Sequence, residues 1–336
     1  MRGNSLIGYY DVKTLTLSFS SKWLHTDSCH SQNSSCVRTK VTLLVRKINY
    51  FHVVKKKKLE NISLPAEVYF SRYKVRPPLI KPSKIYEMGG WVINFAVGCT
   101  FGCKFCYVDN IHKKFSKERI GNIVMREWGY YFLVPENMEE AIRMTRWEKW
   151  RGKKVMMSST HDAYLPQLYR WARKILEKAL PAGVGINILT RSPLVERDFD
   201  LLEKFREQVS VSVSIATMDQ ALSRIIEPRA VSPIRRLDII RKAKERGIRT
   251  GIHIAPIMPP NRLRKDIEKD LEELARHISE TKPDYVSAEA LHARGINILY
   301  LEQAIGEKIT LDNLEQSARE ALTKAMRKYS IGFSWS

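Results

Sequence analysis

Gly98-Cys99-Thr100-Phe101-Gly102-Cys103-Lys104-Phe105-Cys106-Tyr107 is the stretch on which the reading of the chain turns. It holds three of the five cysteines, spaced CX3CX2C, directly after the apolar run Trp91 to Val97, which reads as a strand. Thiols this close suit one metal centre, because a disulfide among three leaves one over. The residues alone leave two occupants open. A structural zinc needs four ligands, and His112, six positions past Cys106, completes a Cys3His set. An iron–sulfur cluster on three cysteines instead leaves one iron without a protein ligand. Zinc ribbons usually carry a second ligand pair on a separate knuckle, and the sequence has no second CXXC, which favours the cluster.

Outward from this stretch the chain alternates. Strand-like runs at Trp91 to Val97, Lys154 to Ser159, Gly185 to Thr190, Val209 to Ala216, Arg249 to Pro256 and Tyr285 to Ala290 are separated by helix-like segments. Ile267, Leu271, Leu274 and Ile278 fall on one helical face, as do Leu311, Leu314, Ala318, Leu322 and Met326. Strands and helices in alternation predict an α/β fold with a parallel sheet. The strands also alternate in polarity: Ser210, Ser212 and Ser214 oppose Val211, Val213 and Ile215, and His253 and Ala255 oppose Ile252 and Ile254. A flat sheet covered on both sides would be continuously apolar, so one face here looks into a polar space. The expectation is a partial (β/α)6 TIM-like barrel with a wet lumen. Ligands of such barrels sit at the carboxyl ends of the strands.

The 336 residues carry a net charge of +21, which favours polyanionic partners, nucleic acid first. Residues 1–58 hold 11 basic and two acidic residues, so +12 remains on residues 59–336. That first segment is serine-rich around Cys29 and Cys36, ends in Lys55 to Lys58, and is expected to be a poorly ordered basic extension. Residues 59–90, with four prolines, read as an extended lead-in, 91–300 as the barrel, and 301–336 as a helix and tail packed on it. No run of eighteen apolar residues and no leader pattern occurs, so the expected place is the cytoplasm, with no membrane contact.

With Asn94 four residues before it, the cysteine stretch resembles the radical S-adenosylmethionine superfamily, in the branch of spore photoproduct lyase and DNA-repair-photolyase-like proteins. Ser158-Ser159-Thr160-His161-Asp162, Thr190-Arg191-Ser192-Pro193-Leu194, Val211 to Ile215, Glu227-Pro228-Arg229 and Ala255-Pro256-Ile257-Met258-Pro259 agree with that branch, in order, over roughly residues 85–300. The resemblance implies the same barrel and a [4Fe–4S] cluster on Cys99, Cys103 and Cys106. It further implies S-adenosylmethionine on the fourth iron, cleaved reductively to a 5′-deoxyadenosyl radical, and an electron donor of the reduced flavodoxin or ferredoxin type. Ser159, Thr160 and Asp162 are then placed for the methionyl amino group, Arg191 for its carboxylate, Ser214 for the ribose, and Tyr107 beside the cluster or adenine. The implied substrate is nucleic acid or nucleotide-like.

Lyases of that branch use a downstream cysteine as hydrogen donor, and no cysteine follows Cys106. Either a tyrosine such as Tyr164 or Tyr285 would have to substitute, or the reaction differs, while His253 is a candidate for acid–base chemistry or for a hydrogen bond inside the barrel. Glu227 and Arg229 are read either as lining the substrate mouth or as an ion pair fixing a loop. The aromatic, basic stretch Trp128 to Trp150 has the composition of a stacking platform with phosphate contacts, but reads first as a helix packing its rings on the barrel. Two other functions remain as alternatives: a zinc-stabilised, non-catalytic nucleic-acid-binding protein, and a radical enzyme with a small-molecule or protein substrate.

Overall fold

The chain divides into Met1–Glu60 and Asn61–Ser336. The computed structural model describes residues 68–83, 90–115, 121–122 and 126–335, all in the second unit. The expected basic extension, with Cys29, Cys36 and the lysine run, lies outside the described residues.

Six strands form the parallel sheet foreseen from the sequence: β3 (Trp91–Ile93), β5 (Lys154–Met157), β6 (Gly185–Thr190), β7 (Val209–Ser214), β8 (Arg249–Ile257) and β9 (Tyr285–Ala290). They pair in chain order, so each connection crosses over through helical segments. The sheet stays open, with β2 (Ile80–Pro82) antiparallel at one edge and β10 (Ser334–Trp335) parallel at the other. This is the partial α/β barrel.

Helical cover follows from apolar periodicity and local caps. α3 (Tyr169–Ala179) buries Ala172, Ile175, Leu176 and Ala179. α6 (Pro233–Glu245) starts at Ser232, whose hydroxyl accepts the Arg235 amide, with Pro233 in the first turn where its missing N–H costs nothing. α7 (Ile267–Thr281) is capped by Asp266 and buries Leu271, Leu274 and Ile278. α9 (Leu314–Lys328) buries Leu314, Ala318, Leu322 and Met326. Ile267 and Leu311, at the ends of the two expected faces, are only partly buried.

Alternation along the strands has the anticipated cause. In β6, Ile186 and Ile188 are buried while Asn187 and Leu189 are half-buried; in β9, Val286 and Ala288 are buried while Tyr285, Ser287 and Glu289 are half-buried. The polar face is knit sideways. The Ser210 hydroxyl donates to Asn187 at 2.9 Å, Ser212 shares a 2.5 Å hydrogen bond with the Tyr285 hydroxyl, and His253 Nδ1 meets Ser287 at 2.9 Å. All six residues of β7 are buried, so its serines are solvated by their neighbours on the sheet rather than by bulk water.

Two features depart from expectation. Trp128 to Trp150 is not one helix: it contains β4 (Tyr131–Pro135), α2 (Met138–Met144) and a 3-10 turn, Trp147–Trp150. β4 pairs in parallel with β1 (Tyr69–Tyr73), so the lead-in supplies a strand of a second, two-stranded sheet. Proline closes β4, and the Glu136 amide after it still donates to Tyr73 O at 3.1 Å. No helix among the described residues is long and apolar enough to cross a membrane.

A single glycine tests the lumen. A Cβ on Gly251 would lie 2.4 Å from the Tyr285 ring and 2.8 Å from Ser212 Oγ. Because that ring is held by hydroxyls on β7, Gly251→Ala is expected to lower stability by about 1–3 kcal/mol. Urea unfolding measures it; an unchanged midpoint would show that the ring moves freely.

Candidate active site

The cysteine loop leaves the end of β3 and returns through two tight turns, in which Gly102 N donates to Cys99 O and Cys106 N donates to Cys103 O. α1 (Val108–Phe115) follows. Two glycines are required here by space and φ. Gly98 has φ +87, and a Cβ would sit 2.4 Å from the Tyr131 carbonyl; Gly102 has φ +61, and a Cβ would strike the Arg229 guanidinium. Arg229 is buried and clamps the loop, donating to Thr100 O and, at 2.8 Å, to Gly129 O. Lys104 N donates to Ile226 O, so the segment from Ile226 to Arg229 holds the loop at two points. Asn297 adds a third, donating to Phe105 O at 3.1 Å.

Cys99, Cys103 and Cys106 are free thiols, the first two buried. Burial pushes Cys99 up to about 11 and Cys103 to about 12, and raises Cys106 as well, while each carries electrostatic contributions from a neighbouring group on this rim. Cys106 is raised further by the charges of Cys103 and Cys99. Three free thiols on one short loop are the donor chemistry of an iron–sulfur cluster. Among the described residues, no three His, Cys, Asp or Glu side chains gather closely enough to hold one metal ion. His112, the fourth ligand of the zinc reading, is buried with Nε2 3.5 Å from the Gly98 amide and its ring stacked on Trp128. A cubane likewise needs its three thiolates to converge on it, each on a separate iron.

Opposite the loop stands Arg191, at the end of β6. Its Nε donates to Glu227 Oε1 at 2.6 Å and its Nη2 to Ser214 Oγ at 2.9 Å; its guanidinium lies 5.5 Å from the Phe105 ring centre. The other Glu227 oxygen accepts Arg236 Nη2 at 2.6 Å, and Arg236 is itself tied to the Val231 and Ser214 carbonyls. Burial works to raise the Glu227 pKa, yet the two guanidiniums hold it below the ordinary range. Asp162 makes a second knot. Its carboxylate accepts from the Thr190 hydroxyl at 2.7 Å, the Arg191 amide at 2.7 Å and the Tyr164 amide at 2.9 Å, and burial still keeps its pKa above the usual value.

Most residues expected at the rim are there. Arg191, Ser214 and Asp162 meet directly or through backbone; Tyr107 donates to the Ser159 carbonyl at 3.3 Å; Asn94 holds Ser159 through its amide and hydroxyl; Thr160 lies beside His161. His253 is in the lumen, where burial and then Arg191 push it down to about 4, so its imidazole is neutral near pH 7. The two tyrosines named as hydrogen donors are elsewhere. Tyr164 is fully buried and donates to Asp198, itself 3.6 Å from Arg173 of α3, in the helical layer. Tyr285 begins β9 and sits at the amino ends of the strands, beside Ser210 and Ser212. Glu227 and Arg229 do not pair with each other; one anchors Arg191 and the other the loop.

Arg236 had a signal that the sequence reading passed over. It shares the register of Ile240 and Ala243 on the buried side of α6, where a cation requires a buried anion. Glu227→Gln removes that anion from between two guanidiniums and is expected to cost about 3–5 kcal/mol at pH 7. Because the folded pKa of Glu227 is depressed, its contribution is present above about pH 4.5 and is lost as pH falls further. Urea titrations of both proteins at pH 7 and pH 4 should therefore show a gap that narrows in acid; equal stability at pH 7 would show that the pair contributes nothing.

Comparison with known proteins agrees with this geometry. The radical SAM superfamily profile matches residues 93–274. Protein ORF301 of Acidianus two-tailed virus is 50% identical over 280 residues, spanning 80% of this chain and 93% of its own. The radical SAM Nalpha-GlyT isomerase of Pseudomonas phage M6 is 25% identical over 179 residues, covering 53% of this chain and 35% of the phage protein. Among solved structures, a spore photoproduct lyase variant with bound AdoMet and dinucleoside spore photoproduct shares the fold, with a TM-score of 0.57 at 15% identity over 81% of this chain and 86% of that one. This chain belongs to the radical SAM superfamily of enzymes, the family that works with a [4Fe–4S] cluster and S-adenosylmethionine.

Proposed function

We propose that Cys99, Cys103 and Cys106 hold the [4Fe–4S] cluster, and that the enzyme acts on nucleic acid or a nucleotide-like substrate presented to the polar lumen. The observation that carries the first part is the three-thiol loop, with Cys99 and Cys103 buried, facing Arg191 at the carboxyl end of the sheet. When bound, the cluster supplies reductive cleavage of S-adenosylmethionine and hydrogen-atom abstraction from the substrate.

The chain's own residues bind and orient. Arg191 has Nε and Nη2 engaged by Glu227 and Ser214, and Nη1 makes no hydrogen bond to a described residue. That nitrogen is assigned to the methionyl carboxylate. Ser159 and Thr160 serve the amino group, and Asp162, its oxygens taken up by Thr190 and two amides, fixes the loop that carries them. Ser214 lies toward the ribose while steadying Arg191, and Tyr107 covers the rim. His253, neutral and bonded to Ser287, turns a polar ring toward the substrate. A one-electron donor of the flavodoxin or ferredoxin type completes the system.

Support for the substrate is chemical. Residues 59–336 keep +12, the lumen is lined by serines, Asn187 and His253, and the lyase variant of the same fold holds a dinucleoside. Anaerobic reconstitution should load about four irons with matching sulfide, and dithionite should then release 5′-deoxyadenosine. Cys103→Ala should abolish that release. Arg191→Gln should keep the iron yet raise KM for S-adenosylmethionine by about 10- to 100-fold, the loss of one charge-assisted contact. About one zinc without sulfide, or a fully loaded cluster that cleaves nothing, would overturn the assignment. Run with a panel of damaged and undamaged oligonucleotides, the assay also tests the substrate class.

A further inference from the structure

β1 is an open edge whose exposed side chains follow one chemistry. It pairs only with β4, so its other edge has no strand partner among the described residues. Residues 68–83 contain Arg72, Lys74, Arg76 and Lys81 and no carboxylate. Successive side chains of a strand alternate, so Phe70 and Arg72 share one face, and Lys74 and Arg76 continue the two-residue step past the strand end. All four are exposed, Phe70 at 45%, and the three cations form no ion pair with a described residue. Cations elsewhere on the surface commonly do pair, as Lys324 does with Glu268 and Lys328 with Glu272.

The stripe leads to the site. Tyr69 N donates to Tyr130 O at 3.0 Å, and the Tyr130 ring lies under Arg229, the clamp of the cysteine loop, at 5.4 Å and near Lys104 of that loop at 6.0 Å. The aromatic end of β1 therefore abuts the rim and the cations run away from it. Phe70 is steadied edge-on by Phe132 at 6.2 Å, which leaves an exposed ring for stacking.

We infer that β1 docks single-stranded nucleic acid, Arg72, Lys74 and Arg76 taking successive phosphates while Phe70 stacks a base beside the cysteine loop. Two residues of strand advance about 6.6 Å, a step that suits the phosphate repeat of an extended polynucleotide. Basic tracks with interleaved aromatics bind single strands without reading sequence, through backbone charge and stacking. A neutral or basic protein strand added to this edge would gain nothing from three aligned cations. The inference rests on the nucleic-acid reading of the substrate and locates the track by which such a substrate approaches.

Fluorescence anisotropy of the full chain with a labelled oligothymidylate, across a salt series, tests it. The triple variant Arg72→Gln, Lys74→Gln, Arg76→Gln should bind at least about tenfold more weakly and lose about 2 from the salt slope, three contacts at about 0.7 each. Phe70→Ser should weaken binding by about 5- to 100-fold with the slope unchanged. A control that removes equal charge at the amino end of β5, Arg151→Gln, Lys153→Gln, Lys154→Gln, should bind almost as the parent does. If both triple variants weaken alike, or if polyglutamate competes as well as unlabelled oligothymidylate, the track is only general charge and the inference falls. Unaltered binding by the β1 variants, with the parent binding well, defeats the track and leaves the substrate reading intact; no binding by the parent defeats both.

Discussion

One carboxylate holds the site together. Glu227 lies between Arg191 and Arg236 with both oxygens engaged at 2.6 Å, and its side chain and that of Arg236 are fully shielded from solvent. Neither guanidinium would be tolerated at this depth alone, since an unpaired buried charge is costly. Arg236, braced by the Val231 and Ser214 carbonyls, cannot turn, so the carboxylate cannot turn, and Arg191 is thereby aimed across the rim at the cysteines. The same short segment, Ile226 to Arg229, takes hold of the loop through the Ile226 carbonyl and the Arg229 guanidinium. Loop and cation are thus referenced to one piece of backbone, which is how a site built on connections acquires the precision of one built on strands.

The open barrel makes room for this. A closed, dry core would have filled the sheet's inner face with branched residues. Here that face carries serines, Asn187, Tyr285, His253 and Ser287, and they satisfy one another across neighbouring strands. Such a surface is rigid without being apolar, so it can meet a polar ligand without a large cost of exposing unsatisfied groups. Gly251 contributes by absence: only a bare backbone on β8 lets the Tyr285 ring lie across it and reach β7.

The sequence made the barrel legible because period-two polarity is a local property. All six strands were found, and those that came out shorter did so for a reason outside the strand: β3 stops at Ile93, where Asn94 turns aside to bind Ser159. The small sheet of β1 and β4 was missed, since its strands join residues far apart and β4 is embedded among tryptophans that read as one helical surface. Cysteines announced their loop by spacing, and strand order placed Arg191, Ser214 and Asp162 on one rim. Side-chain direction outside strands was not legible. Tyr164 follows the rim loop in sequence yet turns into the helices, and Tyr285 begins rather than ends its strand, a position that chain order alone assigns to the far side of the lumen.

Charge balance explains why the anchoring takes two arginines and a single glutamate. Desolvation raises all three thiols, so ligating an iron centre requires the loss of protons from groups that resist it. Arg191 lowers each of them, whereas the charge of Asp162 raises Cys99 while its backbone hydrogen bond lowers it. With Glu227 cancelling one of its two cationic partners, the triad keeps one net positive charge, and Arg191, the only member not fully buried, carries it toward the loop. Replacing Glu227 by a neutral group would leave two cations repelling each other in a buried space. Replacing Arg191 would instead leave the thiolates facing a net neutral pair. On the proposed assignment, a single surplus cation, fixed in direction, favours both thiolate ligation and the approach of a carboxylate to the rim.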